Sequence, residues 1–307
     1  MKQITIIGCG AVGALYGLRL HTLLGAKHVC FVCDSERKKR YEKEGLFINK
    51  ERAPFRYVTA NQTQISDLVI IATKNHHLEQ AIELVKGSVG PGTAILSLLN
   101  GIDSENRLIE VFGKEHVLYG FAVGLNSTHI GNTITYTKEG KIVLGEQDNQ
   151  YSERLQKICS LFEKAGIAYT VPEDIHVEQW NKFMLNTTYN TLSSLLEATY
   201  GDLDQAPIWM LAQQISKEVQ AVARRENVIL PDELIEKNHA IITSLGFEGK
   251  TSMCQDLQAK RPTENSWFCK TVIRLGEKHQ IPTPTCRILS ALVEAKEHMN
   301  LRLASVQ

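Results

Sequence analysis

The chain has no net charge: 34 lysine and arginine residues stand against 34 aspartate and glutamate residues. A neutral chain has no field to gather the phosphates of nucleic acid or an anionic bilayer, so neither is an expected partner. It also lacks any apolar run near the ~20 residues that cross a membrane. The opening stretch, MKQITIIGCGAVGALYGL, does put one lysine ahead of apolar residues. Gly8, Gly10, Gly13 and Gly17 break that stretch, however, and it runs straight into a helical pattern, so it reads as mature structure rather than a signal peptide. A cysteine pattern that would suggest a disulfide framework is missing too. Seven cysteines, an odd number spread over the whole length, fit a reduced cytoplasmic protein better than a disulfide framework. Cys30 and Cys33 form a C-x-x-C, but inside the apolar run HVCFVCD, and no second pair completes a zinc site. They read as small buried side chains, and no metal is expected.

What is present is alternation. The 307 residues suggest two domains. In the first half, QITIIG, HVCFVC, DLVIIAT and TAILSLL are short apolar runs separated by amphipathic helical patterns, the signature of parallel βαβ units covered on both faces. From Val117 to Leu144 the texture changes, and GNTITYTKEGKIVLGE reads as an antiparallel hairpin. Another helix and the brief strand AYTV follow. Pro172 marks a boundary. Beyond it only helical periodicity appears, over 174–198, 207–227, 232–245, 250–260, 262–279 and 285–298. The expected architecture is a Rossmann-type α/β domain over 1–172 and an all-α substrate-binding and catalytic domain over 173–307.

GCGAVG, residues 8 to 13, is a G-x-G-x-x-G between a strand and a helix. Gly8 permits the tight turn, Gly10 the approach of a pyrophosphate, and Gly13 close packing of helix on strand. The helix start at Cys9, Ala11 and Val12 presents backbone N–H groups to the phosphates. A bare tight turn is the alternative, but the position near the start of a βαβ unit favours dinucleotide binding. Asp34, 21 residues after Gly13, could accept a ribose 2′-OH and repel a 2′-phosphate, which favours NAD. Arg37, Lys38, Lys39 and Arg40 follow at once and could clamp that phosphate instead, or form an exposed helix start. Thr73, Lys74, Asn100 and Gly101 fall at the carboxyl ends of strands, where either loop capping or ligand binding fits.

In the second half, EQWNKFMLNTTYNTL spaces Lys182, Asn186 and Asn190 four apart. On an α-helix these share one stripe among large apolar residues. A solvated face is one reading. A ligand-facing stripe is the other, and it gains from Asn and Thr being poorer helix formers than the Glu, Lys and Gln of ordinary wet faces. In KTSMCQDLQAKRPTENSWF, Pro262 suits a first helical turn with Glu264 behind it, and Ser252 and Asp256 could be capping and surface residues. His76, His77, Trp209 and Trp267 read as structural.

Taken in order, GCGAVG, the TK at 73–74, the NG at 100–101, WNKFMLNTTYN and SMCQDLQAKRPTE resemble the 2-dehydropantoate 2-reductase, or ketopantoate reductase, family over essentially the whole chain. The resemblance implies NADPH-dependent reduction of 2-dehydropantoate, a small 2-keto acid, to (R)-pantoate on the way to pantothenate and coenzyme A. Lys182 is then the general acid, with Asn100 holding it and the nicotinamide in register. Asn186 and Asn190 bind substrate hydroxyl and carbonyl groups, Ser252 its carboxylate, and Glu264 orients a hydroxyl. Lys74 matches the lysine on the 2′-phosphate of NADP(H). The family's arginine near position 34 is replaced by Asp34, unless Arg37 substitutes. Asn265, Ser266 and Trp267 also depart from the usual residues after Glu264. NAD(H)-dependent dehydrogenases of bulky D-2-hydroxy acids share the lysine and asparagines and form the rival reading. A non-catalytic dinucleotide sensor is the rival from another class, and it has no use for Lys182 with Glu264. A homodimer stays open.

Overall fold

Four short runs, ITII, VCFV, LVII and AILS, build the centre of the first unit. In chain order the computed structural model, which describes residues 1–304, has β1 (Ile4–Ile7), α1 (Ala11–Leu24), β2 (Val29–Val32), α2 (Ser35–Glu44), β3 (Phe47–Ile48), β4 (Glu51–Arg52) and β5 (Tyr57–Val58). There follow β6 (Leu68–Ile71), α3 (Leu78–Val85), β7 (Ala94–Ser97), α4 (Ser104–Phe112), β8 (Val117–Ile130), β9 (Thr133–Gly145), α5 (Glu153–Lys164) and β10 (Tyr169–Thr170). Every residue of β1, β2, β6 and β7 is buried, as parallel strands with both faces covered require. Their side chains alternate between two cores. Ile4, Ile6, Phe31, Leu68, Ile70 and Leu96 share one; Ile7, Val32, Val69, Ile71 and Ile95 share the other.

The sheet runs β4-β3-β9-β8-β7-β6-β1-β2-β5, with β10 beside β9. From β5 to β8 the pairs are parallel, with Ile4 of β1 opposite both Val29 and Leu68. The chain winds outward from β1 in both directions, so the carboxyl end of β1 is the topological switch point at which ligands collect in open α/β sheets. The hairpin differs from expectation in its turn. GNTITYTKEGKIVLGE is one arm only: it forms β9, antiparallel to the 14-residue β8, and the chain reverses at Gly131 (φ +59°). Lys138, Glu139 and Gly140 lie within β9. Gly140 is there because a Cβ would come within 2.3 Å of the Val123 carbonyl oxygen.

The two compact units are Met1–His176 and Val177–Gln307. The second is helical: α6 (Ile175–Leu185) begins at the boundary, then come α7 (Thr191–Leu196), α8 (Ala206–Arg225), α9 (Glu233–Thr243), α10 (Ser252–Gln258), α11 (Cys269–His279) and α12 (Pro284–Ala304). α8, α11 and α12 pack together, and α7 lies against α10 and α12. Two expected helices are divided. The span 174–198 breaks into α6, a π turn over Asn186–Asn190, and α7, which ends at Glu197 in the left-handed region (φ +54°). The span 262–279 becomes helical in earnest only at Cys269. Before it, the Thr263 N–H donates to Glu297 Oε1 (2.7 Å) and Asn265 Nδ2 donates to the Ser290 carbonyl (3.2 Å), which hold that segment off the α path.

Candidate active site

The glycine loop after β1 is dictated by sterics. Gly8 has φ +103°, and a Cβ there would come within 2.3 Å of the Ala72 carbonyl oxygen. A Cβ on Gly13 would sit 2.0 Å from the Gly8 carbonyl oxygen. Gly10 differs: a Cβ there meets no protein atom within 4 Å, so the protein's own packing does not demand a glycine. Gly10 is also the N-cap of α1, offers no side-chain cap, and no acidic residue stands in the first turn. Gly10 thus brings no side chain to the first N–H groups of that turn, around Ala11 and Val12, which leaves the positive end of the helix for an anion. Tyr136 on β9 pins the loop from behind, its hydroxyl donating to the Ala11 carbonyl at 2.5 Å.

A narrow, partly open cavity adjoins this loop, lined by Gly8, Cys9, Arg37, Tyr41, Thr73 and His77 among others. Thr73 Oγ1 is buried with no hydrogen-bond partner. Unmatched buried hydroxyls are uncommon, and one beside a glycine loop is the kind of group that a ligand satisfies. Burial pushes the Cys33 thiol up to about 11 and the Cys9 thiol well above the usual range, so both stay neutral. His77 is held below its ordinary value by burial, then by neighbouring His76 and Arg37. Of the cavity residues named here, Arg37 is the permanent cation. Its backbone N–H donates to Asp34 Oδ1 (2.7 Å) and its Nε lies 3.5 Å from Asp34 Oδ2. Asp34 therefore caps α2, and both of its carboxylate oxygens are turned to Arg37. An uncapped helix start, an unsatisfied hydroxyl and an open Gly10 together fit the phosphates of a dinucleotide.

Lys74 precedes the short turn Asn75–His77, and Asn100 follows β7. The two loops are tied: Asn75 Nδ2 donates to the Asn100 carbonyl at 2.9 Å, and Gly101 takes φ +89° to let the chain turn. Buried Glu105 steadies the second loop, accepting from Ser104, whose hydroxyl in turn meets that of Ser97 (2.8 Å). Asn75 and Tyr136 were not legible as site supports in the sequence, because each acts through a partner 25 or 125 residues away.

In the helical unit, Lys182 and Asn186 are half-buried and Asn190 is 6% exposed. The π turn alters their alignment. Four residues of α-helix advance the azimuth by about 40°. A π turn, with i→i+5 bonds and roughly 4.4 residues per turn, sets four residues back by about 33°. Lys182 and Asn190 thus come within about 10° of each other, against about 80° on an unbroken α-helix. On this ideal geometry the lysine and the second asparagine lie closer to one line than an unbroken α-helix would put them. Glu264 is buried at 2% exposure. Ser252 is exposed at the first position of α10, and the cap is its neighbour: Thr251 Oγ1 accepts from Cys254 N–H (3.3 Å). Asp256 is not a surface residue; it is buried and paired with Arg261 Nε at 2.9 Å. α10 packs on α7 and the π turn.

The parallel sheet, its switch point and the glycine loop define a Rossmann-type dinucleotide-binding protein. Two family models match the chain: "Ketopantoate reductase PanE/ApbA" over residues 4–149 and "Ketopantoate reductase PanE/ApbA C terminal" over residues 174–297. The 2-dehydropantoate 2-reductase of Lactococcus lactis subsp. lactis (strain IL1403) is 28% identical over 313 residues, covering 97% of this chain and 98% of that protein. That of Streptococcus pyogenes serotype M1 is 30% identical over 237 residues, 76% of this chain and 77% of that one. A solved complex of D-mandelate dehydrogenase with NADH superposes with a TM-score of 0.86 at 26% identity, covering 97% of this chain and 99% of the other. The chain belongs to the ketopantoate reductase family and is an oxidoreductase.

Proposed function

We propose that the chain reduces 2-dehydropantoate to (R)-pantoate with NADPH, a step towards pantothenate and coenzyme A. The observation that carries this reading is the π turn directly after α6, which has Asn186 and Asn190 at its two ends and Lys182 on the helix before it, on a chain of this family. The backbone N–H groups at Gly10 to Gly13 hold the pyrophosphate, Thr73 Oγ1 gains its missing partner, and Lys74 with Arg37 takes the 2′-phosphate. When bound, the reduced nicotinamide supplies the hydride. As the keto carbon is reduced its oxygen gains negative charge, and Lys182 Nζ both stabilises that charge and donates the proton. Asn186 and Asn190 bind the substrate's hydroxyl and carbonyl through their amides. Ser252 donates to the carboxylate, the Glu264 carboxylate accepts from a substrate hydroxyl, and Asn100 keeps the lysine and nicotinamide in register.

A second reading, NAD-dependent oxidation of a bulkier D-2-hydroxy acid, is favoured by Asp34 and by the likeness to a D-mandelate dehydrogenase solved with NADH. NADP(H) leads because both Asp34 oxygens are turned to Arg37, which leaves them poorly placed for a ribose. The deciding experiment follows loss of reduced-nicotinamide absorbance with ketopantoate, NADPH and NADH in parallel, for the natural protein and Lys182→Ala. Expected are turnover preferring NADPH and a loss on the order of 10³-fold in kcat for the variant with cofactor affinity unchanged. Turnover with NADH alone, or only of a bulkier keto acid, transfers the assignment to the second reading. Loss of cofactor affinity in Lys182→Ala removes the lysine from the role of acid.

A further inference from the structure

A π turn is a poor resting place for a chain. Its hydrogen bonds are less well formed than those of an α-helix, and it persists only where surrounding structure insists on it. Around Asn186–Asn190 that insistence comes from buried polar side chains. Ser194 Oγ donates to the Asn190 carbonyl at 2.6 Å, and the Thr188 and Ser216 hydroxyls meet at 3.1 Å, tying the turn to α8. The longest reach is that of Tyr189, which is 1% exposed and directly precedes Asn190. Its hydroxyl lies 3.3 Å from His239 Nδ1 on α9. His239 Nε2 lies 3.0 Å from Asp204 Oδ1, and the indole of Trp209 stacks on the imidazole with centroids 4.1 Å apart.

The directions of these bonds fit one tautomer. With the proton on Nε2 donated to Asp204, Nδ1 is an acceptor, and the tyrosine O–H donates to it. Asp204 is well exposed, so as an ion pair it contributes little. Its use is to choose the tautomer, while Trp209 fixes the plane of the ring. The chain of contacts runs from the solvent-side carboxylate to the residue next to Asn190, and none of its members has a place in the chemistry proposed above.

We infer that His239 is a positioning residue: held by Asp204 and Trp209, it anchors Tyr189, keeps the π turn wound, and so sets the azimuth of Asn190 for the keto acid. This rests on the reading of Asn190 as a substrate ligand. His239→Leu removes both bonds, whereas His239→Asn keeps an acceptor near the Nδ1 position. Tyr189→Phe deletes only the hydroxyl and spares the ring packing. Expected for His239→Leu and Tyr189→Phe is a KM for ketopantoate raised about tenfold, with kcat within threefold and the KM for reduced nicotinamide unchanged. His239→Asn returns the ketopantoate KM to within threefold of the natural protein. In parallel, amide hydrogen exchange of the cofactor-free protein should accelerate over 186–194 in the first two variants and not in the third.

An unchanged KM together with unchanged exchange in Tyr189→Phe overturns the inference. So does exchange raised evenly through the helical unit, with kcat and both KM values worsened alike, since that is general loosening. Should the natural protein fail to reduce ketopantoate, the reading of the reaction fails, and the exchange pattern alone then decides whether His239 holds the turn.

Discussion

Thr73 shows how one side chain can count against the fold and for the ligand. Its hydroxyl is buried beside the glycine loop without a partner, and a hydroxyl taken from water unmatched costs about 1–3 kcal/mol. Valine has the same shape without that cost. Thr73→Val should therefore raise the melting temperature of the cofactor-free protein, by the few degrees that about 1 kcal/mol confers on a chain of this size. The same change should weaken dinucleotide binding, because the donor or acceptor that a phosphate or ribose needs is gone. Thermal unfolding with and without NADP(H), and a fluorescence titration of the cofactor, would register opposite signs. A variant that loses stability without cofactor, or binds as tightly as before, would mean that Thr73 is satisfied by the protein's own motions and plays no part in binding. The glycines beside it were legible in the sequence for the reason that they are needed: Gly8 and Gly13 leave no space for a Cβ, and only one residue type meets that condition. Thr73 was legible only as a position, since an unsatisfied hydroxyl is a property of the packed loop.

At the scale of elements, caps and turns decide where the site residues lie. α10 is seven residues long, too short to persist on its own hydrogen bonds, and its start is fixed by Thr251 Oγ1 accepting from Cys254 N–H. Thr251→Ala should cost about 1 kcal/mol, or roughly 2–4 °C in melting temperature, and Thr251→Ser almost nothing. Because Ser252 sits in the frayed turn, the alanine variant should also raise the KM for ketopantoate while leaving that for the reduced nicotinamide alone; equal stability in the two variants would show that the cap is idle. The sequence had suggested Ser252 as a cap, one residue off, because both neighbours are good capping types and only backbone geometry separates them. Similar reasons account for the other differences. The strands β1, β2, β6 and β7 were plain from apolar runs, whereas β3, β4 and β5 have two residues each, too few for a pattern. The four-residue spacing of Lys182, Asn186 and Asn190 identified a stripe, but periodicity presumes an α-helix and cannot reveal an i→i+5 turn. That turn depends on partners from distant helices: Ser216 and His239 are 28 and 50 residues beyond the side chains they hold.

For the molecule as a whole, the titrating groups that depart from their ordinary values impose a stability profile with two limbs. On the acid side, burial would raise Asp67, but the backbone N–H groups of Lys2 (2.5 Å) and Gln3 (3.0 Å) outweigh it and hold the carboxyl below its usual 3.8. The N–H and hydroxyl of Thr199 do the same for Asp202. Glu226, raised by burial, is lowered further by Lys278 and His279. Carboxylates depressed in the folded chain give stability that is present above their unfolded values and lost as pH falls through the folded ones. His21, through burial, and His77 are held below 6.5, so the unfolded chain takes up their protons first and stability starts to fall below about pH 6.5. On the alkaline side, burial raises Cys33 from 9.0 to about 11 and Tyr119 from 10.0 to about 12. Groups raised in the folded chain give stability that is complete below the unfolded value and disappears as pH climbs through the folded one, so the fall begins near pH 9. The melting temperature should thus be flat between about pH 7 and 8.5, sag gently towards pH 5 and drop steeply below pH 4.5. Asp67→Asn isolates one contributor to the acid limb: it removes the carboxylate that ties the start of β6 to the residues leading into β1. Its melting temperature should lie below that of the natural protein at pH 7.5, and the gap should start to close only as pH falls below about 3.8, with the alkaline limb unaltered. A constant gap between the two across the acid limb would mean that the Asp67 bonds act through packing alone and that the acid sensitivity resides in other groups.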